Sequence, residues 1–504
     1  MTTHPTVQPV GATLAPTRDP HFLTRAERYA KGAGLRRSVR RAMQADWTVP
    51  TNRVDPVSIL VEQGQHRIAS LLPVRYERMK ASPFAFLRGA AAIMAADLAH
   101  TPTTGLTVQA CGDCHLANFG SYASPEGLPV FDINDFDETY RAPFEWDVKR
   151  LGTSLVLAGE ETGLSAKATR ALAEEMALTY GSQMTRLAAL TPLQVWLDRV
   201  DLMDAIAHFG DKKVRARIEA ALAKRLDSAS KHFGLVADDT EAPSLREHPP
   251  LVVRLPAQED AIRHAFARYC ETQPAERLAL LNRYRLRDVI FKVVGVGSVG
   301  TFCAIGLFAT PDGDVLLLQI KEAQTSVLAP FVPSAPHYTN QGERVVTGQR
   351  MMQAVSDAFL GWTHSDGTAA SGISPDAGQA ITTTTAPASL SHEVSSTPKV
   401  SVADLSGTDR QFYVRRVKDQ RLAAIGADFA QEGLADYARL CGRVLARAHA
   451  RSGDVAAIAG YIGKGSAFAD GIADFSTAYA AQTHKDWSTF TTALKKGGLG
   501  VVSA

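Results

Sequence analysis

The sequence predicts an α+β protein with two lobes, one large and mainly helical and one small and built on an antiparallel sheet. Two observations predict this division. Apolar residues recur at three- and four-residue steps over 55–100 and 166–234, which is the period of amphipathic helices. By contrast, β-branched and aromatic residues alternate over 289–321 between glycine-rich turns, which is typical of successive antiparallel strands.

The N-terminal part leads into the helical segments. Residues 1–22 are rich in Thr and Pro and carry no apolar period, so we expect a flexible tail there. The helical pattern over 55–100 includes the segment SPFAFLRG at 82–89. Arg88 in this segment is a candidate for contacting a phosphate or an acidic substrate, and a structural ion pair is an equal alternative.

The stretch 111–150 mixes polar and apolar residues in a way that neither a core strand nor a surface helix does. A short strand over 105–110 leads into a polar loop, and after a turn the run 130–138 alternates acidic or amide residues with Phe and Ile. At the period of a strand, Asp132, Asn134 and the start of the acidic cluster share one face, and that face needs a cation or a ligand. The candidates are, in chain order, Asp113, His115, Asn118, Asp132, Asp135 and Asp137.

The spacing of three of these residues points to a chemistry. Asp113 precedes Asn118 by five residues, and Asp135 follows on the next extended segment. One acid that receives a proton, with an amide oxygen and a second carboxylate that hold a divalent cation, is the set that phosphoryl transfer to a hydroxyl requires. Cys111 and Cys114 form a lone C-x-x-C, which is weak evidence for zinc without a second pair.

A glycine-rich loop lies within the predicted strands. A strand over 289–294 runs into Gly295-x-Gly297-Ser298-x-Gly300, then come a strand over 301–309, a turn, and a strand over 315–321 that ends in Lys321. The G-x-G-x-x-G pattern most often belongs to a dinucleotide-binding turn, which requires a helix directly after the glycines. A strand follows here instead, so we expect a loop whose backbone amides cover phosphates.

The rest of the chain supplies a helix, a linker and the closing elements. A helical run begins at Glu343, which is the candidate carboxylate for orienting Lys321, with the adjacent Glu322 as the poorer choice. From 363 to 402 the composition turns to Thr, Ser, Ala, Gly and Pro, which predicts a disordered insertion. A strand over 411–417 and an amphipathic helix over 434–450 follow, and further helices close the core.

Four segments of the chain carry a family resemblance. GDCHLAN resembles the catalytic loop of the aminoglycoside phosphotransferase and choline kinase branch of the protein-kinase-like fold, and the segments from Asp135 and from Pro143 resemble that branch's metal-binding and following segments. The combination SPFAFLRG, GDCHLANFG, FDINDFDET and PFEWDVKRL is similar to the bacterial family of domain of unknown function 2252. The resemblance covers most of the chain.

The resemblance implies a two-lobed protein-kinase-like fold in circularly permuted order, because the glycine loop and Lys321 come about two hundred residues after the Asp113 loop instead of before it. The expected organisation is a tail (1–22), a helical lobe with the catalytic loop and metal-binding segment (23–285), a nucleotide-binding lobe (286–362 and 403–420), a disordered insertion (363–402) and C-terminal helices that complete the helical lobe (421–504).

We therefore expect an ATP- and Mg²⁺-dependent phosphotransferase that acts on a small hydroxylated molecule. Asp113 would serve as base, His115 would support the loop or the phosphate, and Lys321 would hold the nucleotide with the glycine loop. Metal binding would fall to Asn118 and Asp135, with Asp132 and Asp137 as auxiliary ligands. Three alternatives stay open, namely a nucleotide-binding pseudokinase, nucleotidyl transfer to a protein, and a metal-dependent hydrolase.

The composition narrows the partners. With 45% hydrophobic and 21% charged residues and a net charge of +2, the chain offers no reason to expect nucleic acid or a membrane surface as its main partner. Five scattered cysteines and the lack of a long apolar run favour a cytoplasmic protein. The residues specify neither the acceptor nor the nucleotide base nor the oligomeric state.

Overall fold

Helices predominate in the computed structural model, and the strands form small antiparallel sheets, so the mixed class is confirmed. The structure describes residues 23–227, 234–237, 243–293, 295, 297–333, 338–364, 410–417, 425–497 and 499. The predicted tail at 1–22 and nearly all of the predicted insertion at 363–402 lie outside these residues.

The N-terminal helices begin where their caps dictate. The Asp55 carboxylate accepts the backbone N–H of Ser58, and Pro56, which has no N–H to satisfy, occupies the first turn of the helix. Ser82 caps the helix of the SPFAFLRG segment in the same way. These helices are α1 (Arg25–Gly34), α2 (Pro56–Gln65), α3 (Leu72–Lys80), α4 (Pro83–Gly89) and α5 (Ala91–Leu98).

The polar stretch folds into two short antiparallel strand pairs. β1 (Thr107–Ala110) pairs with β4 (Tyr140–Pro143), and between them β2 (Phe119–Ala123) pairs with β3 (Pro129–Ile133). The Asp113 loop therefore begins where β1 ends, and the predicted metal-binding segment joins β3 to β4. The pairing of β1 with β4 brings these two connections to the same end of the strands.

A bundle of helices packs behind these strands. β4 leads directly into α6, most of whose residues are buried, and α6 packs against α7. The next helices are α6 (Phe144–Glu161), α7 (Ala166–Ala188), α8 (Pro192–Leu197), α9 (Leu202–Ala207) and α10 (Lys212–Asp227).

The small lobe is built on a six-stranded antiparallel sheet of strand order β5-β6-β7-β8-β10-β9. Its apolar faces form two separate cores, one including Phe266, Phe291 and Phe412, the other including Ile290 and Ile305. In chain order the elements are β5 (Val252–Val253), α11 (Glu259–Glu271), α12 (Ala275–Leu281), β6 (Arg285–Lys292), β7 (Cys303–Ala309), β8 (Val315–Glu322), α13 (Gln341–Met352), β9 (Gly361–His364) and β10 (Gln411–Arg416).

Two boundaries differ from the expected organisation. β5 belongs to the sheet although the predicted nucleotide lobe begins at 286, because two residues are too few to give a strand pattern. Thr363 and His364, which the composition assigns to the insertion, end β9 and pair with β10.

The C-terminal helices return to the helical lobe and complete it. α14 (Ile425–Glu432), α15 (Leu434–Ser452), α16 (Val455–Ile462) and α17 (Ser466–Lys495) pack with α6 and α7 around one large apolar core. α15 begins at Leu434, as the sequence predicts, and ends at Ser452 with Gly453 as its C-cap. In the part of the chain that the structure describes, no helix combines the length and the apolar character that crossing a membrane would need.

Candidate active site

One cleft between the helical lobe and the sheet collects most of the predicted site residues. It encloses about 110 Å³, room for several waters or a phosphate group with its ions. The predicted residues that line it are Arg88, Asp113, His115, Asn118, Asp135, Asp137, Gly295, Gly297 and Ser298. Residues 113–137 and 295–298 are thus brought together although they lie more than 150 positions apart in the chain.

Asp113 is oriented by a buried arginine. Arg150, on α6, donates from Nε to Asp113 Oδ1 at 2.9 Å and from a second nitrogen to the same oxygen. It also donates to the carbonyl of Leu87 at 2.8 Å, which ties the Asp113 loop to α4. Oδ2 lies toward the glycine loop, since a Cβ added to Gly297 would stand 3.6 Å from it.

The loop backbone that carries Asp113 is held by a carboxylate that the sequence reasoning did not assign to the site. Asp147 Oδ2 accepts the Cys111 N–H at 2.6 Å, and Oδ1 accepts the Gly112 N–H at 3.0 Å. His449 Nε2 lies 3.1 Å from Asp147 Oδ2, so α15 supports the same group. The sequence signal was present in the helix-starting Asp of PFEWD, whose acceptors complement orphan N–H groups of a loop.

Gly112 allows the loop to make its turn. Its φ is +81°, and a Cβ at this position would stand 2.3 Å from the carbonyl oxygen of Glu138. A residue with a side chain would be strained in this conformation and would also collide with the neighbouring segment. The glycine thereby lets the Asp113 loop and the 135–138 segment pack closely.

Asn118 is positioned with its amide oxygen available. Its Nδ2 donates to the carbonyl of Asp113 at 2.8 Å, which fixes which end of the amide is which. The loop also receives support from Tyr437 on α15, whose hydroxyl donates to the Leu116 carbonyl at 2.8 Å. The side chain of Asn118 therefore offers an oxygen to a ligand of the cleft.

His115 is a buried, neutral ring. Burial lowers its pKa to about 3, which the nearby Asp113 carboxylate offsets only in part. Its Nε2 lies 3.7 Å from Asp113 Oδ2, too far for a hydrogen bond, and the ring meets Phe84 edge-on. This geometry favours support of the loop, the first of the two roles expected for this residue.

Lys321 near the end of β8 contacts two carboxylates of the segment that joins β3 to β4. Its Nζ forms an ion pair with Asp137 and lies 3.8 Å from Asp135 Oδ1. Burial lowers the pKa of Lys321, but Asp135 and Asp137 outweigh it, and the pKa lies above its ordinary value. The lysine is therefore charged, and the two carboxylates that it contacts line the cleft.

Asp137 is fully used by protein donors. Its oxygens accept hydrogen bonds from Lys321, from the hydroxyl of Tyr413 at 2.8 Å and from the hydroxyl of Ser298 at 2.9 Å. Burial favours the protonated form, but the charge and hydrogen bond of Lys321 hold the pKa of Asp137 well below its usual range. Asp137 thus acts as the partner of Lys321, whereas the side chain of Asp135, the other candidate of this segment, is 35% exposed.

The expected ion pair between Lys321 and Glu343 is wrong. Lys321 pairs with Asp135 and Asp137, whereas Glu343 lies in the first turn of α13, where Asn340 caps its backbone N–H. The next residue, Arg344, turns inward and donates to the carbonyls of Thr139 and Asp137. The sequence predicted that a helix follows the strand of Lys321. It did not predict which face of that helix packs toward Lys321.

Asp132 lies outside the cleft, so its expected role as an auxiliary metal ligand is wrong. It is 2% exposed, pairs with the buried guanidinium of Arg447 on α15, and accepts the backbone N–H of Ala354 at 3.1 Å. The alternation over 130–138 placed Asp132 and Asn134 on one face, but β3 ends at Ile133, so the period of a strand does not extend to the acidic cluster that follows.

The glycine loop is pinned by the N-terminal helices. Gly300 accepts the Ile68 N–H at 2.7 Å, and its φ of +92° leaves it facing the side chain of Arg67. Arg67 donates to the carbonyl of Val299 at 2.6 Å, and Arg78 donates to that of Gly295. The loop therefore lies over Asp113, and residues from the N-terminal part of the chain hold it there.

The cleft has a basic side that the sequence reasoning found only in part. Arg88 lines it, as expected for a residue that contacts an anion, with its guanidinium carbon 5.8 Å from the centre of the Phe84 ring. Arg67 and Arg75, which no motif singled out, line it as well.

Two residues of the cleft could hold part of a magnesium site. Among the described residues, no three His, Cys, Asp or Glu side chains are arranged to enclose a metal ion by themselves. Mg²⁺ usually binds through one or two carboxylates together with substrate phosphates and waters. Asp135 and the amide oxygen of Asn118 offer such a partial set on one wall of the cleft.

Comparison with known proteins identifies a family. The sequence model of DUF2252, described as an uncharacterized protein conserved in bacteria, matches residues 67–374 and 392–493. Neither the curated proteins nor the solved structures contain a match. The matched range spans all of the cleft residues described above.

Proposed function

The chain belongs to the bacterial DUF2252 family, and from the geometry of its cleft we propose an ATP- and Mg²⁺-dependent phosphotransferase that acts on a hydroxyl of a small molecule. The proposal includes a protein-kinase-like fold in circularly permuted order. Lys321 lies on the third strand counted from the glycine-loop strand, and a helix follows it, which is the order of the kinase nucleotide lobe.

One observation carries the proposal. A buried lysine from the sheet contacts Asp135 and Asp137, which line the same cleft as Asp113 and the glycine loop. Phosphoryl transfer needs little covalent chemistry from the protein, and it depends on positioned charges around the phosphates and the acceptor. Those charges come here from two parts of the chain that only the folded structure brings together.

In the proposed reaction the acceptor's hydroxyl oxygen forms a bond to the γ-phosphorus of ATP. The bond between that phosphorus and the β–γ bridging oxygen breaks, ADP leaves, and the hydroxyl proton passes to Asp113. Arg150 holds Asp113 through Oδ1, so Oδ2 faces the acceptor. Lys321 and the amides of the 297–300 loop receive the phosphates, and Asp137 keeps the lysine charged and in place.

The residues fit the metal that this chemistry uses. Asp135 and Asn118 would hold Mg²⁺, which when bound neutralises the negative charge of the phosphate oxygens. The metal-dependent hydrolase has less support, because Asp132, one of its required ligands, is buried against Arg447 and does not line the cleft.

Nucleotide binding is the first test. Calorimetric titration of ADP should give a complex that tightens with Mg²⁺, and Lys321→Met and Asp135→Asn should each weaken it at least tenfold. Asp312→Asn, on the exposed turn between β7 and β8, is the matched control and should bind as the wild type does. Wild-type protein that binds no adenine nucleotide with or without Mg²⁺ would refute the proposal.

Transfer is tested by mass spectrometry of a hydroxylated-metabolite pool incubated with the protein, ATP and Mg²⁺. We expect a phosphorylated product and ADP, both lost in Asp113→Asn, while that variant still binds ADP. Pyrophosphate release with a nucleotidylated protein would indicate nucleotidyl transfer instead. Binding without any product would indicate a pseudokinase.

A further inference from the structure

Three arginines, Arg67, Arg75 and Arg88, line the basic side of the cleft, and among the residues that the structure describes none of them forms a direct ion pair, although the carboxylates of Asp113, Glu138 and Glu322 line the same cleft. Arg75 is 1% exposed, and its guanidinium uses one nitrogen to donate to the carbonyl of Gly89 at 2.8 Å, while its Nε and second terminal nitrogen have no partner. The Nε atoms of Arg67 and Arg88 are also buried and unpartnered.

Such an arrangement is costly in a folded protein. An arginine stays protonated at every physiological pH, and a buried charge without a partner costs several kcal/mol. Arg53 shows how the same chain satisfies a buried guanidinium, because Asp97 at 2.7 Å and Asp486 at 2.6 Å clamp it from two sides. Arg75 has no such clamp, so a ligand is the natural source of its missing counter-charge.

The position of the arginines separates them from the nucleotide's lysine. Arg75 and Arg88 lie on α3 and α4, and Arg150 ties α4 to Asp113 through the Leu87 carbonyl. Lys321 comes from β8 of the sheet, whereas Asp135 and Asp137 come from the connection between β3 and β4. Arg75 and Arg88 therefore lie beside Asp113, where the acceptor hydroxyl has to bind, and Arg67 lies between them and the glycine loop that it holds.

We propose that Arg75 and Arg88, closed off by Arg67, form an oxyanion subsite, and that the acceptor is an anionic hydroxy compound carrying a phosphate or a carboxylate group. That the bound anion is the acceptor rests on the proposed function, whereas the existence of the oxyanion subsite does not. A planar guanidinium binds either oxyanion through two parallel hydrogen bonds. The subsite then holds the charged group while Asp113 meets the hydroxyl of the same molecule.

The test measures anion binding directly. Inorganic phosphate and malonate are titrated calorimetrically into wild type, Arg75→Gln, Arg88→Gln and the exposed control Arg287→Gln, each with and without saturating ADP and Mg²⁺. We expect at least one of the two anions to bind to wild type and to the control at one site, also when ADP is bound. Each cleft variant should bind that anion at least tenfold more weakly, because charge-assisted hydrogen bonds are lost.

The ADP affinity of the variants shows whether these arginines bind the acceptor or the phosphates of the nucleotide. It should change less than threefold in Arg75→Gln and Arg88→Gln, since Lys321 and Asp135 hold the nucleotide. A parallel fall in ADP and phosphate affinity would assign the arginines to the nucleotide's phosphates and overturn the proposal. Equal anion affinity in wild type and both variants, or no anion binding at all, would overturn it too.

The two proposals fail separately. If wild type binds phosphate but no ADP, and Arg88→Gln loses phosphate binding, the phosphotransferase proposal is refuted and the subsite proposal stands. A preference for phosphate over malonate indicates a phosphorylated acceptor, and the reverse preference indicates a carboxylic acid. If Arg75→Gln does not fold, Arg88→Gln, whose side chain is only partly buried, decides the outcome.

Discussion

Two aspartates three residues apart should behave in opposite ways, and Asp132→Asn is the sharper test. Asp132 and Arg447 are almost completely buried, and the carboxylate also accepts the Ala354 N–H at 3.1 Å. Replacing the carboxylate by an amide leaves the guanidinium of Arg447 charged and buried without a counter-ion. Two nitrogens of that guanidinium already lack a hydrogen-bond partner, so no neighbour can take over.

The magnitude follows from this burial. Breaking a buried ion pair by removing one partner costs about 3–5 kcal/mol, because the remaining charge is uncompensated. Asp135 is 35% exposed and lies 3.8 Å from Lys321, so Asp135→Asn should cost at most about 1 kcal/mol. The free energy of unfolding should therefore fall strongly in the first variant and little in the second, while ADP affinity should follow the reverse order.

Urea unfolding and calorimetric ADP titration on the same preparations check both halves. The urea midpoint of Asp132→Asn should fall well below that of wild type, and the folded fraction should bind ADP and Mg²⁺ with wild-type affinity. If Asp132→Asn unfolds at the wild-type midpoint and loses nucleotide binding, Asp132 is a ligand of the cleft and the geometric reasoning is refuted.

Three further predictions concern the Asp113 loop. Asp147→Asn should lower the free energy of unfolding by about 2–4 kcal/mol in urea, because it replaces a charged acceptor of two buried N–H groups, and an unchanged midpoint would contradict this. Gly112→Ala should cost more than Gly105→Ala, by about 1–3 kcal/mol, since both glycines have positive φ but only the first would collide with a backbone carbonyl. His115 should make stability depend on pH: its pKa is about 3 when folded and 6.5 when unfolded, so its contribution is present above pH 6.5 and falls by about 2 kcal/mol at pH 5. The urea midpoints of wild type and His115→Gln at pH 7.5 and pH 5 measure this, and an equal fall in both would exclude it.

The sequence was most informative where residues that are close together in the chain also form one local element of the fold. The loop of Asp113 and Asn118 and the strand that ends in Lys321 are local, so their patterns predicted them. The lysine's partner was not local. It depended on which face of α13 turned inward, and Arg344 occupies that face, held by carbonyls of the 137–139 segment.

The basic side of the cleft could not be read from the sequence for a related reason. Arg75 lies in an ordinary helix, α3, and nothing in the neighbouring sequence distinguishes it from an arginine whose side chain lies in solvent. Arg75 is buried against the two flanking helices, where it donates to Gln63 on α2 and to the carbonyl of Gly89 on α4. Residues whose role comes from a missing partner leave no pattern in the chain.

The order of the parts explains how one cleft can be assembled from distant segments. Arg67 and Ile68 hold the glycine loop more than 200 residues before it in the chain, and α15 supports the Asp113 loop more than 300 residues after it. Each wall is thus braced by a segment from the other end of the sequence. These contacts are hydrogen bonds to backbone carbonyls and to buried carboxylates. They therefore determine where the loops lie, and they do not determine which side chains the loops carry. A chemistry that depends on positioned charges, as phosphoryl transfer does, needs only such fixed positions, and the order in which the chain supplies them is free to change.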